Sequence, residues 1–194
     1  MTSSAMQQLY QQIILDHAKS AHGAVADLGE LDALTPGAPA SGLATAPGLR
    51  HAQSHQVNTT CGDEITVRVG LTGTGADAQI DEFAWRGAGC SISMASASVL
   101  NDTVRGTSVA ESQVMLDLFR EMLRSRGTIE PDEEVYGDAA AFAGVSKYPA
   151  RVKCALLGWT ALADALAQAG VDIAAISTTP SPEGRPTIDR REPA

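Results

Sequence analysis

Apolar residues alternate with polar or small ones in the middle of the chain, in the segment that ends at Leu71. The apolar positions of this alternation are Ile65, Val67, Val69 and Leu71. A period of two predicts a half-buried β-strand with one face on the core. A second strand is predicted over residues 78–86, where the three-residue step from Ile80 to Phe83 indicates a bulge. A third, antiparallel strand is expected around residues 51–58.

After these strands the apolar positions recur every three or four residues, which is the period of an α-helix. This spacing predicts one helix that starts at Cys90 and stops near Gly106, and a second helix that ends at Gly127. Ser108 and Glu111 have the spacing of a capping box at the start of the second helix.

Two further helices are predicted towards the ends of the chain. An amphipathic helix is expected over residues 6–20, and Pro149 suits the first turn of a final helix. The buried stripe of that final helix is expected to comprise Val152, Ala155, Leu156, Trp159, Leu162, Ala163 and Leu166. Ahead of it, the acidic stretch Glu130–Glu134 is predicted to be a solvated linker. Trp85 and Trp159 are expected in the core.

Antiparallel strands followed by helices indicate an α+β fold, in which helices cover one face of a small three-stranded sheet. We expect a single domain over residues 1–176. It would include a loop rich in Ala, Gly and Pro over about residues 23–50. Residues 177–194 are predicted to form a disordered C-terminal tail.

Composition narrows the class of protein. The chain has 194 residues and a net charge of -9, which disfavours nucleic-acid and anionic-membrane partners. No run approaches the roughly 18 apolar residues that span a bilayer, and the first residues lack the apolar core of a signal peptide. Three cysteines in a chain of this size favour free or metal-bound thiols in a reducing cytoplasm.

Three thiols and one acid carry the candidate chemistry. Cys61 and Asp63 flank a glycine just before the predicted strand, Cys90 begins a helix, and Cys154 lies early in the final helix. Three thiolates and a carboxylate are a complete tetrahedral set for Zn²⁺. The wide spacings are not those of a zinc finger. From chemistry alone, a shared metal site and three unrelated buried cysteines therefore both stay open.

The surroundings of the helical cysteines favour the metal site. Cys154 is predicted on the side of its helix opposite the apolar stripe, whereas a structural cysteine would be expected to join that stripe. Arg151 and Lys153 flank it in the sequence and are expected to favour its thiolate. The N-terminus of its helix would likewise favour the thiolate form of Cys90.

The four histidines are assigned ordinary roles. His17 is expected to pack in its helix and not to bind metal. His22, His51 and His55 are expected in or beside solvated loops.

Four motifs, in this order along the chain, resemble the U-type family of iron–sulfur assembly proteins (IscU, the N-terminal domain of NifU, and SufU). The motifs are LYQQIILDH (residues 9–17), NTTCGD (58–63), WRGAGCSISMASAS (85–98) and YPARVKCA (148–155). The resemblance spans about residues 6–169. The chain is similar to the SufU branch in particular, because Lys153 stands where IscU-type scaffolds carry a histidine. Residues 106–148 also match the insertion of that branch.

This resemblance implies a zinc-dependent sulfurtransferase in SUF-type iron–sulfur cluster assembly. It implies Zn²⁺ held by Cys61, Asp63, Cys90 and Cys154, with Cys61 accepting persulfide sulfur from a SufS-type, PLP-dependent cysteine desulfurase. Downstream SUF assembly proteins would then receive the sulfur. Arg151 is a candidate for orienting Asp63 or an incoming sulfur anion.

Two alternatives use the same residues. The first is a scaffold on which an iron–sulfur cluster forms on the three cysteines. The second is a non-catalytic adaptor with a structural zinc site.

Overall fold

The computed structural model describes residues 4–28, 49–172 and 176, and this part of the chain contains five α-helices and three β-strands. The strands are β1 (Arg50–Asn58), β2 (Asp63–Thr72) and β3 (Gln79–Ala88). The helices are α1 (Ser4–Ser20), α2 (Ser91–Val104), α3 (Val109–Arg124), α4 (Glu133–Tyr136) and α5 (Pro149–Gln168). Short 3₁₀ helices cover Gly75–Asp77 and Gly137–Lys147. The predicted α+β class is confirmed.

The sheet is antiparallel with the order β1-β2-β3, so β2 is its central strand. Gly70 faces Glu82 whereas Leu71 faces Ile80, and Asp81 is therefore an additional residue on β3. This irregularity is the bulge that the spacing of apolar residues predicted.

The prediction that β2 is half-buried was wrong, because every residue from 65 to 71 is buried. The apolar side chains face the helices, as expected. On the opposite face Arg68 is only 1% exposed, and its Nη1 donates a hydrogen bond of 2.6 Å to the carbonyl oxygen of Leu28. The chain that follows α1 thus reaches across the polar face of the sheet.

The core lies between the sheet and the helices, with α5 packed against β1, β2 and α2. Trp85 and Trp159 are fully buried, which confirms their predicted core positions. The ring of Trp159 stacks on Phe119 with 4.4 Å between centroids, and Phe119 meets Phe142 edge-on at 5.6 Å. Segment 106–148 therefore contributes large aromatic side chains to the core, each contributing about 1.5–3 kcal/mol by burial.

The helix ends follow the local signals. The Ser108 side chain accepts a hydrogen bond from the Glu111 amide, and the Glu111 carboxylate accepts one from the Ser108 amide, which confirms the capping box. Pro149 occupies the first turn of α5, as predicted.

The acidic stretch differs from its prediction, because Glu133 and Glu134 form the start of α4. Glu133 accepts a hydrogen bond of 2.8 Å from the Tyr10 hydroxyl of α1. Burial, together with the Glu133 carboxylate, raises the pKa of Tyr10 to about 12. This part of the stretch is therefore helical and not a linker, although Glu133 and Glu134 are exposed to solvent, as predicted.

Several predicted features concern residues that the structure does not describe. Most of the predicted 23–50 loop and the predicted tail over 177–194 lie outside the described residues, and the domain limits of 1–176 stay a prediction. None of the helices in the described ranges combines the length and apolar character needed to cross a membrane.

Candidate metal centre

The turn between β1 and β2 carries Cys61. The Asn58 carbonyl oxygen accepts hydrogen bonds from the amides of Cys61 (3.2 Å) and Gly62 (2.8 Å), and Gly62 has a positive φ of 77°. Cys61 is thus exposed in a tight turn, and Asp63 is the first residue of β2. The sequence placed Cys61 just before a strand, with Gly62 as a point where the chain can bend, and both features are observed. The bend is possible because glycine has no Cβ to clash in the left-handed region.

Helix α5 brings the third side chain to this turn. The Cys154 sulfur lies 3.4 Å from the Cys61 sulfur, although 93 residues separate them, and Cys154 is 5% exposed. Asn58 Nδ2 donates to the Cys154 sulfur at 3.5 Å, so one asparagine shapes the turn and contacts the helix. Ligand atoms of Cys61, Asp63 and Cys154 all lie within 4.8 Å of one another.

Cys90 lies at the edge of this group. It is exposed and occupies the N-cap position of α2, as the sequence predicted. Its thiol hydrogen-bonds to the Asp63 carboxylate, and its sulfur lies 3.7 Å from the hydroxyl oxygen of Ser93. Cys90 therefore contacts the three-residue group through Asp63.

Two residues that were not predicted from the sequence, Ser93 and Gly89, fix the position of the Asp63 carboxylate. Ser93 is buried and its hydroxyl oxygen lies 2.9 Å from Asp63 Oδ2. A Cβ at Gly89 would come within 2.7 Å of both Asp63 Cγ and Ser93 Oγ, so a side chain there would displace the carboxylate. The only sequence signal was their place near Cys90: Gly89 lies in the strand-to-helix turn and Ser93 in the first turn of α2.

The pKa values of the Asp63 carboxyl and the Cys154 thiol are shifted in opposite directions. Burial of Asp63, at 4% exposure, would raise its pKa, but hydrogen bonds from Cys90, Ser93, Cys154 and Cys61 outweigh burial and leave the pKa below its usual value. Asp63 is therefore a carboxylate at neutral pH.

The Cys154 thiol behaves in the opposite way. Burial raises its pKa, and the neighbouring Cys61 and Asp63 raise it further. Arg151 and Lys153 are exposed and do not reverse this effect. The expectation that these two charges favour a Cys154 thiolate was wrong, because burial and a nearby anion dominate.

Cys154 was predicted to lie on the side of its helix opposite the buried stripe, but both of these sides are buried. Helix α5 is buried on two sides, and Gly158, on the side of Cys154, has Ala97 and Leu100 of α2 at 3.5 Å from the position of its missing Cβ. Val152, Leu156 and Ala163, predicted as buried, are only partly buried. A cysteine on the small-residue side of α5 is thus in a packed position.

Arg151 contacts an aromatic ring. Its guanidinium carbon lies 4.8 Å from the ring centroid of Tyr148, and both side chains are exposed. A role in orienting Asp63 stays a prediction.

The histidines lie apart from the cysteine group. His17 is buried, and its Nδ1 lies 2.8 Å from Ser98 Oγ of α2, which agrees with a packing role. His51 and His55 lie in β1, the strand predicted around residues 51–58. The His51 side chain is only 8% exposed, so its expected solvation was wrong, whereas His55 is exposed as expected. His22 is exposed just after α1.

The donor set fits a zinc ion. Thiolate sulfurs and a carboxylate oxygen are zinc ligands, and the pKa of Asp63 keeps it in the ligating form. Cys61 is exposed whereas Cys154 is buried, so the group contains one thiol that a second protein can reach and one that it cannot. The arrangement can therefore hold a metal ion and present a nucleophilic sulfur.

Comparisons with known proteins show to which family the whole chain is similar. Residues 9–155 match the family model described as the NifU-like N terminal domain. The chain is 34% identical to the iron–sulfur cluster assembly scaffold protein IscU of Streptococcus pyogenes serotype M1, over 86% of this chain and 87% of that protein. It is 32% identical to the zinc-dependent sulfurtransferase SufU of Bacillus subtilis strain 168, over 82% of this chain and 90% of that protein.

A solved structure extends the likeness to three dimensions. That structure is of a protein from Fervidobacterium islandicum AW-1, which is described as a candidate iron–sulfur cluster assembly scaffold for the SUF system. It superimposes with a TM-score of 0.59 at 30% identity, over 84% of this chain and 99% of that one.

Proposed function

This chain belongs to the family of NifU-like N-terminal domains, and we propose that it is a zinc-dependent sulfurtransferase of iron–sulfur cluster assembly. The observation that carries the proposal is the exposed Cys61 thiol, 3.4 Å from the buried sulfur of Cys154 and beside an ionised Asp63. The likeness to a Bacillus subtilis protein named as a zinc-dependent sulfurtransferase supports it.

Cys61, Asp63, Cys90 and Cys154 would hold the zinc ion. When bound, Zn²⁺ stabilises thiolates over thiols, so it offsets the burial that raises the pKa of Cys154. Within the chain, Asn58 fixes the turn and the Cys154 sulfur, and Ser93 fixes the carboxylate. These contacts limit movement of two ligands, Cys154 and Asp63, while Cys61 lies on an exposed turn.

The transfer step uses the Cys61 sulfur as nucleophile. Its thiolate attacks the outer sulfur of a cysteine persulfide on a SufS-type, PLP-dependent cysteine desulfurase. The sulfur–sulfur bond of the desulfurase breaks, and its electron pair leaves with the desulfurase cysteine as a thiolate. Cys61 then carries the persulfide, with no net oxidation or reduction. A reducing cytoplasm would keep the three thiols free for this chemistry.

A scaffold function is the second candidate. The Streptococcus pyogenes and Fervidobacterium islandicum relatives are described as scaffold proteins, and a cluster would use the same three cysteines. A scaffold purified under anaerobic conditions would contain iron and sulfide and would be coloured. A sulfurtransferase would instead contain about one zinc ion at this group and no chromophore.

The decisive experiment is sulfur loading with a cysteine desulfurase. We expect wild-type protein to raise cysteine turnover, and mass spectrometry to find one additional sulfur atom on the Cys61 peptide. Cys61→Ala should reduce turnover to that of the desulfurase alone. Thr60→Ala, a change at the neighbouring exposed position of the same turn, is the matched control and should behave as wild type. Stimulation by Cys61→Ala at the wild-type level would exclude the transferase and leave the adaptor.

A further inference from the structure

A second group of metal-ligating side chains lies away from the cysteines, where the C-terminal end of α1 meets α2. One ring nitrogen each of His17 and His22 and one carboxylate oxygen of Asp102 all lie within 4.8 Å of one another. His22 Nδ1 is 2.5 Å from Asp102 Oδ2, and the two imidazole rings meet edge-on with 5.2 Å between centroids.

The backbone of His22 is fixed on both sides. Its amide donates a hydrogen bond of 2.9 Å to Ser98 Oγ, and its carbonyl oxygen accepts one of 2.7 Å from Trp85 Nε1. Ala21, the preceding residue, has a φ of 46°, a left-handed conformation that is uncommon for residues with a Cβ. The chain thus turns back so that His22 lies beside His17, while the His22 side chain stays 48% exposed.

His17 keeps a hydrogen-bond partner whichever ring nitrogen binds a cation. Its Nδ1 lies 2.8 Å from Ser98 Oγ, and its Nε2 lies 3.1 Å from Asp138 Oδ2. A metal-ligating histidine usually donates its second N–H to such an acceptor, which fixes the ring orientation. Asp138 also adds a second carboxylate at the margin of the group.

We propose that His17, His22 and Asp102 form a second metal site, which binds a divalent first-row transition-metal ion. Two imidazole nitrogens and one carboxylate oxygen are a ligand set for Zn²⁺ or Fe²⁺ with open coordination positions. The net charge of -9 favours a cation at the surface. The site contains no thiol, so it is separate from the cysteine group and does not depend on the proposed sulfurtransferase function.

The test is zinc binding to the tag-free, full-length protein by equilibrium dialysis against Zn²⁺ alone, followed by metal analysis. We expect about two Zn²⁺ per chain for wild type, one for each group. His22→Ala and Asp102→Asn should each bind about one. Both side chains are partly exposed, so both variants are expected to fold.

His55→Ala is the matched control. His55 is an exposed histidine 3.8 Å from the Glu64 carboxylate, yet among the described residues it belongs to no group of three ligands. This variant should still bind about two Zn²⁺ per chain. Loading with Co²⁺ gives a second readout, because only the cysteine group yields a thiolate-to-metal charge-transfer band. That band should be unchanged in His22→Ala.

One outcome overturns the proposal directly. If wild type binds about one Zn²⁺ and His22→Ala binds the same amount, the cluster is a hydrogen-bonded anchor for the turn after α1. Equal zinc-induced rises in melting temperature for wild type and His22→Ala would contradict it as well, because a cation that binds the folded site must stabilise it.

Discussion

The two groups of metal-ligating side chains lie near opposite ends of α2 and differ in chemistry and in burial. Cys90 caps the start of this helix and Asp102 lies in its last turn, about 18 Å further along the axis. The cysteine group combines sulfur with a 4%-exposed carboxylate, whereas the carboxylate of the histidine group is 41% exposed. The cysteine group therefore combines a buried carboxylate with exposed thiols, whereas the histidine group has an exposed carboxylate and no thiol.

This difference indicates which group can carry sulfur chemistry. In the cysteine group, Asp63 is held by Ser93 and by the absence of a side chain at Gly89. Cys61, an exposed thiol, lies on a turn beside these fixed groups, and Cys90 at the start of α2 is exposed as well. The histidine group offers nitrogen and oxygen ligands, which bind cations but do not accept sulfane sulfur. Four substitutions test this contrast, from the largest expected effect to the smallest.

Cys154→Ala should have the largest effect. It removes the ligand that joins α5 to the turn, so we expect the cysteine group to lose its zinc and sulfur transfer to fall to the background of the desulfurase. The histidine group should keep its Zn²⁺, which metal analysis would show as loss of one of the two ions. Retention of the Co²⁺ charge-transfer band at wild-type intensity would contradict a shared cysteine site.

Ser93→Ala should weaken zinc binding without removing a ligand. Loss of the hydrogen bond to Asp63 is expected to lower the zinc affinity of the cysteine group by about 10–100-fold, measured by competition with a chelator. Ser112→Ala is the control, because Ser112 is also a buried helical serine and bonds to the Val109 carbonyl of its own helix. Similar affinities for the two variants would rule out support of Asp63 by Ser93.

Gly89→Ala should act through a steric clash. The new Cβ would displace Asp63 and Ser93, so we expect the free energy of unfolding to fall by about 1–3 kcal/mol in chemical denaturation. Gly144→Ala is the matched control, because a Cβ at position 144 would have no atom within 4 Å. A Gly89→Ala protein as stable as Gly144→Ala would mean that the turn before α2 is not tightly packed.

His22→Ala should leave sulfur transfer unchanged. The two groups are further apart than the roughly 7–10 Å within which substitutions usually interact, so desulfurase stimulation should stay within about twofold of wild type. A loss of stimulation comparable to that of Cys154→Ala would show that the two groups act as one unit.

Local signals in the sequence predicted much of the fold. The alternation before Leu71, the step from Ile80 to Phe83 and the Ser108–Glu111 spacing each report on neighbouring residues, and each led to a correct element. The burial of Arg68 was missed because the carbonyl that it contacts belongs to Leu28, 40 residues earlier. The alternation of apolar and polar residues in a strand does not show whether a distant segment of the chain covers its polar face.

The sequence indicated the candidate metal ligands but not the residues that hold these ligands in place. The three cysteines and Asp63 stand out as potential ligands because their side chains bind metals. Ser93, Gly89 and Asn58 carry no such signature, and their roles depend on the packing of α2 and α5 against the turn. The charge state expected for Cys154 was wrong for the same reason, because burial is a property of the packed structure.

The most direct test is a crystal structure of the zinc-loaded protein with anomalous data at the zinc edge. We predict an anomalous peak in contact with the sulfurs of Cys61, Cys90 and Cys154 and with a carboxylate oxygen of Asp63. Zinc–sulfur distances should be about 2.3 Å. A zinc-loaded crystal without a peak there, or with any of these four side chains turned away from it, would contradict the account.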